Sequence, residues 1–66
     1  MSAKYPHIKV RLVGEDGNAF AIMGRVVHAM KKAKVEAKEI EQFKSEAMSG
    51  DYDHLLQVVM CYVEVE

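Results

Sequence analysis

The stretch His7-Ile-Lys-Val-Arg-Leu-Val-Gly-Glu-Asp-Gly-Asn-Ala-Phe20 holds the change of period on which the fold turns. Ile8, Val10 and Leu12 alternate with Lys9 and Arg11, the period-two signature of a strand with one buried face. Val13 ends the alternation just before Gly14-Glu-Asp-Gly17. Asp-Gly is a strong turn pair, because Gly accepts positive φ and Asp hydrogen-bonds back to nearby amides. Asn18 is a good N-cap, and from Ala19 onward the apolar residues recur at helical spacing. The segment therefore predicts a strand that turns through a glycine loop into a helix, not a hairpin.

Working outward, the first helix is expected over residues 19–33. Phe20, Met23, Val27 and Met30 form its inner stripe, widened by Ile22, Val26 and Ala33. Gly24 sits mid-helix at a cost of about 1 kcal/mol relative to Ala, so close packing against another backbone is expected there. Residues 34–36 read as a short break. A second helix is expected over 37–48 with Ile40, Phe43 and Ala47 inward, ended by Gly50 as a left-handed C-terminal cap. Asp51 then caps a third helix, and Asp53 adds favourable charge in its first turn. Tyr52, Leu55, Leu56, Val59 and Tyr62 follow its spacing.

The last residues, Val63-Glu-Val-Glu66, return to period two and read as a second strand. Paired with the first, they place Val63 and Val65 on the face of Ile8, Val10 and Leu12. Glu64 and Glu66 then lie beside Lys9 and Arg11, where opposite charges contribute roughly 0.2–1 kcal/mol each. The expected fold is α+β: a β-α-α-α-β domain in which a small two-stranded sheet packs against three helices. Residues 1–66 make a single small domain, and residues 1–6 are expected to be a flexible arm, with Pro6 suited to strand entry.

With 66 residues the core is small, and nothing covalent reinforces it: Cys61 is the single cysteine, so no intramolecular disulfide forms. Two-stranded sheets are marginal alone and leave open edges. A homodimer joining edges into a four-stranded sheet is therefore expected. A lone free thiol, no run of about 20 apolar residues and no signal-peptide core point to a cytoplasmic protein without a membrane segment. The net charge of −1 hides an asymmetry. Residues 1–34 carry seven Lys and Arg against two acidic residues, whereas residues 35–66 carry two Lys against eight acidic residues. Such halves pair with each other, or expose a basic surface to nucleic acid.

The stretch V-R-L-V-G-E-D-G-N-A-F-A-I-M-G-R-V, with S-G-D-Y-D-H-L-L and the terminal V-E-V, resembles a family of short uncharacterised proteins from bacteria and their phages. The resemblance runs from about Ile8 to Glu66 and implies a self-standing domain. It transfers no activity and no catalytic or binding residue.

Three places carry potential chemistry. Gly14, Asp16, Gly17 and Asn18 form a strand–loop–helix corner of the kind that binds anions elsewhere. It lacks the Lys and Ser/Thr of a phosphate loop, and Glu15 and Asp16 repel phosphate, so it reads first as a capped turn and second as a weak ligand corner. Asp51, Asp53 and His54 resemble metal ligands by type, but a site needs three or four converging groups, and carboxylates at a helix start have a plainer role. Arg25, His28, Lys31, Lys32 and Lys34 make a basic stretch on helix one. It is a solvated face, the partner of acidic helix two, or a candidate nucleic-acid contact, although no aromatic accompanies it to stack on bases. Cys61, near a helix C-terminus, lacks what lowers a thiol pKa and is expected in the core or an interface. Met23, Met30, Met48 and Met60 read as core filling or as a soft partner groove. No catalytic residue, cofactor or metal is expected. The reading is a non-enzymatic protein-interaction module that self-associates, with a nucleic-acid-binding accessory or regulatory protein as the alternative.

Overall fold

The computed structural model describes residues 3–12 and 18–66. The elements run β1 (Tyr5–Val10), α1 (Ala19–Lys32), α2 (Ala37–Ala47), α3 (Tyr52–Tyr62) and β2 (Val63–Val65). This is the expected α+β order, with β1 and β2 forming one two-stranded sheet. The strands run parallel, and the three helices between them supply the crossover that a parallel pair requires. Tyr5 pairs with Val63, Lys9 with Glu64 and Val10 with Val65. The register breaks between Tyr5 and Lys9, a stretch that contains Pro6, which has no N–H to donate. Beyond the strands, Glu66 N–H donates to Val10 O (2.9 Å) and Leu12 N–H to Glu66 O (3.3 Å).

β1 begins inside the stretch read as an arm. Ala3 is buried, and Lys4 N–H donates to Cys61 O at 2.8 Å. The Lys4 ammonium pairs with Glu39 Oε1 and lies 5.5 Å from the Tyr62 ring centroid. Tyr5 OH donates to the same Glu39 oxygen at 3.1 Å. The tether joins groups more than thirty positions apart, so no local pattern could announce it.

The core gathers Ile8 and Val10 from β1, Ile22, Val26 and Met30 from α1, and Ile40, Phe43 and Ala47 from α2. Leu55, Val58, Val59 and Tyr62 of α3 and Val63 of β2 complete it. Phe43 is fully buried, with its ring edge-on to Tyr62 at 5.2 Å. α1 is rotated from the expected stripe: its buried line is Ile22–Val26–Met30, one residue per turn. Six positions from Val26, Phe20 points about 120° away from that line at 3.6 residues per turn. Phe20 is accordingly 76% exposed, against the expectation that it lies in the core. Tyr52 in the first turn of α3, Met48 and Met60 are also exposed, and of the four methionines weighed above only Met30 is buried. Ala33 and Cys61 face solvent too.

Helix ends follow local chemistry. Asn18 caps α1 as expected, its side chain accepting from Phe20 N–H at 2.8 Å. The C-terminus of α1 is a Schellman motif: Lys34 N–H donates to Lys31 O and Val35 N–H to Met30 O, both at 3.0 Å. Lys34 takes the left-handed position at φ 66°, where glycine is usual. Gly50 does not play that part for α2, which ends at Met48 with φ −90°. A Cβ at Gly50 would instead meet the His54 ring at 2.7 Å, so the glycine is required by contact. Gly24 shows the reverse. Among the described residues a Cβ there would meet nothing within 4 Å, so the expected close backbone approach is not made by them.

Candidate functional site

The strand–loop–helix corner is described only at Asn18, whose side chain is committed to its cap. Gly14, Asp16 and Gly17 lie outside the described residues.

The Asp51–Asp53–His54 cluster resolves into a joint between α2 and α3. Asp51 Oδ1 accepts from His54 N–H at 3.0 Å, the ordinary cap of a helix start. The His54 ring turns back to α2, where Nε2 lies 2.9 Å from Glu46 O and 3.1 Å from Ser49 Oγ. A carbonyl only accepts, so Nε2 carries the proton and adds a bond to a carbonyl in the last turn of α2 that also accepts from Ser49 N–H at 3.2 Å. Ser49 Oγ donates to the same carbonyl at 2.7 Å. Among the described residues, no three His, Cys, Asp or Glu side chains are grouped to hold a metal ion.

The basic residues divide. Arg25 and His28 of α1 face Lys9 and Arg11 of β1 across an open groove of about 510 Å3, with Val10, Gly24 and Ala29 as its apolar lining. A shallower continuation of about 210 Å3 brings Lys32 beside His7 and Lys9. Lys31 and Lys34 line neither and are exposed in the C-terminal turn of α1, where positive charge is favourable against the helix dipole. The sequence separates these cations into a strand face and a helix face. The docking of α1 beside β1 makes them two walls of one groove.

The second surface was foreshadowed only by the alternative that gave the methionines to a soft partner groove: Met23 and Met48 line it, and Met30 and Met60 do not. Phe20, Met48 and Tyr52, at 76%, 62% and 45% exposure, surround a groove of about 230 Å3. Met23, Ala47 and Leu55 line it beside them. It forms where the start of α1 meets the α2–α3 joint. The signal available in sequence was Met48 next to the helix-ending Ser49-Gly50 and Tyr52 just beyond the Asp51 cap. Apolar side chains at helix ends have no full turn of neighbours to cover them.

The ionisable cluster of Lys4, Tyr5, Glu39 and Tyr62 ties the N-terminal segment to α2 and α3. The hydrogen bond from Lys4, and then that from Tyr5, holds the Glu39 carboxyl below its ordinary value. The hydrogen bond to Glu39 raises Lys4. Burial first, then Glu39, pushes the Tyr5 phenol up, and burial does the same for Tyr62. These shifts belong to packing: Lys4, Tyr5 and Glu39 occupy one another, and the Tyr62 hydroxyl is hydrogen-bonded with Glu46.

No helix among the described residues is long and apolar enough to cross a membrane. Comparison with protein-family models, with curated proteins and with solved structures returns no match.

Proposed function

We propose that this chain is a small, non-enzymatic, cytoplasmic interaction module that self-associates through the Phe20–Met48–Tyr52 face. The observation that carries the reading is the exposure of three large apolar side chains around a single groove. Clustered apolar exposure on a soluble domain marks an interaction site more often than scattered apolar residues do. The face holds a projection and a recess side by side. Phe20 stands out, and the recess lined by Met23, Ala47 and Leu55 is adjacent. That is the form a twofold contact needs, since each copy then inserts the ring that the other receives. A chain with so small a core gains stability when a second copy covers apolar surface.

A standard interface takes about 800 Å2 from each partner, roughly a sixth of this molecule's 4552 Å2 surface. With three exposed apolar anchors, Phe20, Met48 and Tyr52, the dimer is expected to populate in the micromolar range or above. Sedimentation from low micromolar to near-millimolar concentration tests it. The expected result is a monomer–dimer equilibrium that Phe20→Asp abolishes with the helical signal intact. A monomer throughout, or a dimer indifferent to Phe20→Asp, removes the proposal.

A further inference from the structure

We propose that the groove between β1 and α1 takes an extended acidic segment, alternating apolar and acidic residues, which adds to the open edge of β1 as a further strand. Val10 and Leu12 direct their peptide groups toward Glu66 of the β2 segment, Val10 O accepting and Leu12 N–H donating. Successive peptide groups of a strand point to opposite edges. Those of Lys9 and Arg11 therefore face away from β2, on the side where no strand pairs among the described residues.

The space beside that edge fits a chain. An added strand runs about 4.8 Å from its neighbour, and the groove of about 510 Å3 opens there between Lys9–Arg11 and α1. The helix wall is low at Gly24, where a Cβ would meet only open space. A mid-helix glycine that no contact among the described residues requires has a reason if a second backbone comes close to it.

Charge selects the occupant. Lys9 and Arg11 on one wall and Arg25 and His28 on the other form a rim that attracts acidic side chains. The chain already pairs such a segment with the other edge of β1: Val63-Glu-Val65, with Glu64 opposite Lys9. A nucleic-acid strand would engage the cations but leave the amides of Lys9 and Arg11 unpaired, and among the described residues lining the groove the His28 ring alone offers an aromatic face to a base. None of the groove's residues belongs to the Phe20–Met48–Tyr52 face, so this site does not depend on self-association.

The test titrates the isotope-labelled full chain with a capped peptide of repeating Val-Glu, a Val-Lys repeat of equal length, and a single-stranded oligonucleotide. The Val-Glu peptide should bind, shift the Lys9 and Arg11 amides and protect them from exchange, while Val10 and Leu12 keep their bonds to β2. Gly24→Leu fills the groove and should weaken peptide binding at least about tenfold without loss of helical signal, because its side chain starts in open space. Phe20→Asp should bind the peptide as the parent does, which separates this site from the dimer face. Equal binding by Gly24→Leu, loss of the β1–β2 bonds on titration, or shifts with the oligonucleotide and none with the peptide would each overturn the proposal.

Discussion

Gly24→Ala and Gly50→Ala make the same chemical change in opposite surroundings, and the structure assigns them opposite signs. Gly24 lies inside α1, exposed, with no atom of the described residues within 4 Å of where a Cβ would stand. Only the backbone contributes: Ala in a helix interior is favoured over Gly by about 1 kcal/mol, much of it from the smaller freedom of the unfolded chain. For a domain of this size that is an upward shift in Tm of about 4–8 °C. At Gly50 the Cβ would lie 2.7–2.9 Å from Cγ, Cβ and Cδ2 of His54. Cβ and Cγ are the root of that side chain, so it cannot swing aside without abandoning its bond to Glu46 O. Overpacking of this kind costs about 1–3 kcal/mol, and the unfolded-state gain of about 0.4–1 kcal/mol offsets only part of it. Urea unfolding followed by circular dichroism reads both variants against the parent at one protein concentration, with an unchanged m-value certifying that the comparison is of stability. A loss of stability in Gly24→Ala would refute the reasoning, since it would require a contact at Gly24 that the described residues do not make. Equal gains in both variants would refute the account of Gly50.

Further outcomes follow from the same contacts. Lys34→Gly relieves the left-handed residue of the Schellman motif and should stabilise the chain by about 0.5–1 kcal/mol, somewhat less at low salt where the lysine charge favours the helix end; thermal melts at two ionic strengths check it. Phe43→Ala, at a fully buried ring, should cost about 3–5 kcal/mol or prevent folding, whereas Phe20→Ala should change monomer stability by no more than about 0.5 kcal/mol. Glu39 has a lowered carboxyl pKa, so its contribution is complete above the ordinary value of 4.5 and is lost as pH falls through the lower folded value. Acid titration of Glu39→Gln should therefore show a shallower loss of stability below about pH 4.5 than the parent, and identical profiles would remove the role given to the Lys4–Glu39–Tyr5 cluster.

The order of elements was legible because each is announced within its own few residues. Alternation marks β1, helical spacing marks α1 to α3, and Asn18 and Asp51 name two helix starts by the side-chain oxygen they offer. What escaped depends on partners far along the chain. The N-terminal tether needs Glu39 and Cys61 to come within reach of Lys4. The rotation of α1 that exposes Phe20 is set by docking, since Ile22–Val26–Met30 and Phe20–Met23–Val27 are both acceptable apolar lines when read alone. Gly24 and Gly50 look alike in sequence, and only their neighbours separate a glycine with open space from one under a histidine ring. The basic residues were visible one by one. That Lys9 and Arg11 share a groove with Arg25 and His28 follows from the position of α1 beside β1, which no spacing encodes.

The pairing of β1 with β2 gives the charge asymmetry a physical consequence. Part of it is neutralised inside the fold, where Lys4 meets Glu39 and Lys9 lies opposite Glu64. The same pairing leaves the two strands opposite in sign, Lys9 and Arg11 on β1 and Glu64 and Glu66 on the β2 segment. A symmetric dimer through either edge would set like charges across from each other, which is destabilising in adjacent strands. The β1 edge could meet the β2 edge of another copy with favourable charge, but that contact is head-to-tail and propagates rather than closing. A closed twofold dimer is therefore better served by a face that carries neither edge, and the Phe20–Met48–Tyr52 groove is such a face. Like charges along each edge then discourage uncontrolled sheet growth, as charged edge strands do in other folds, and the acidic segment proposed for the basic edge has the sign that this edge favours.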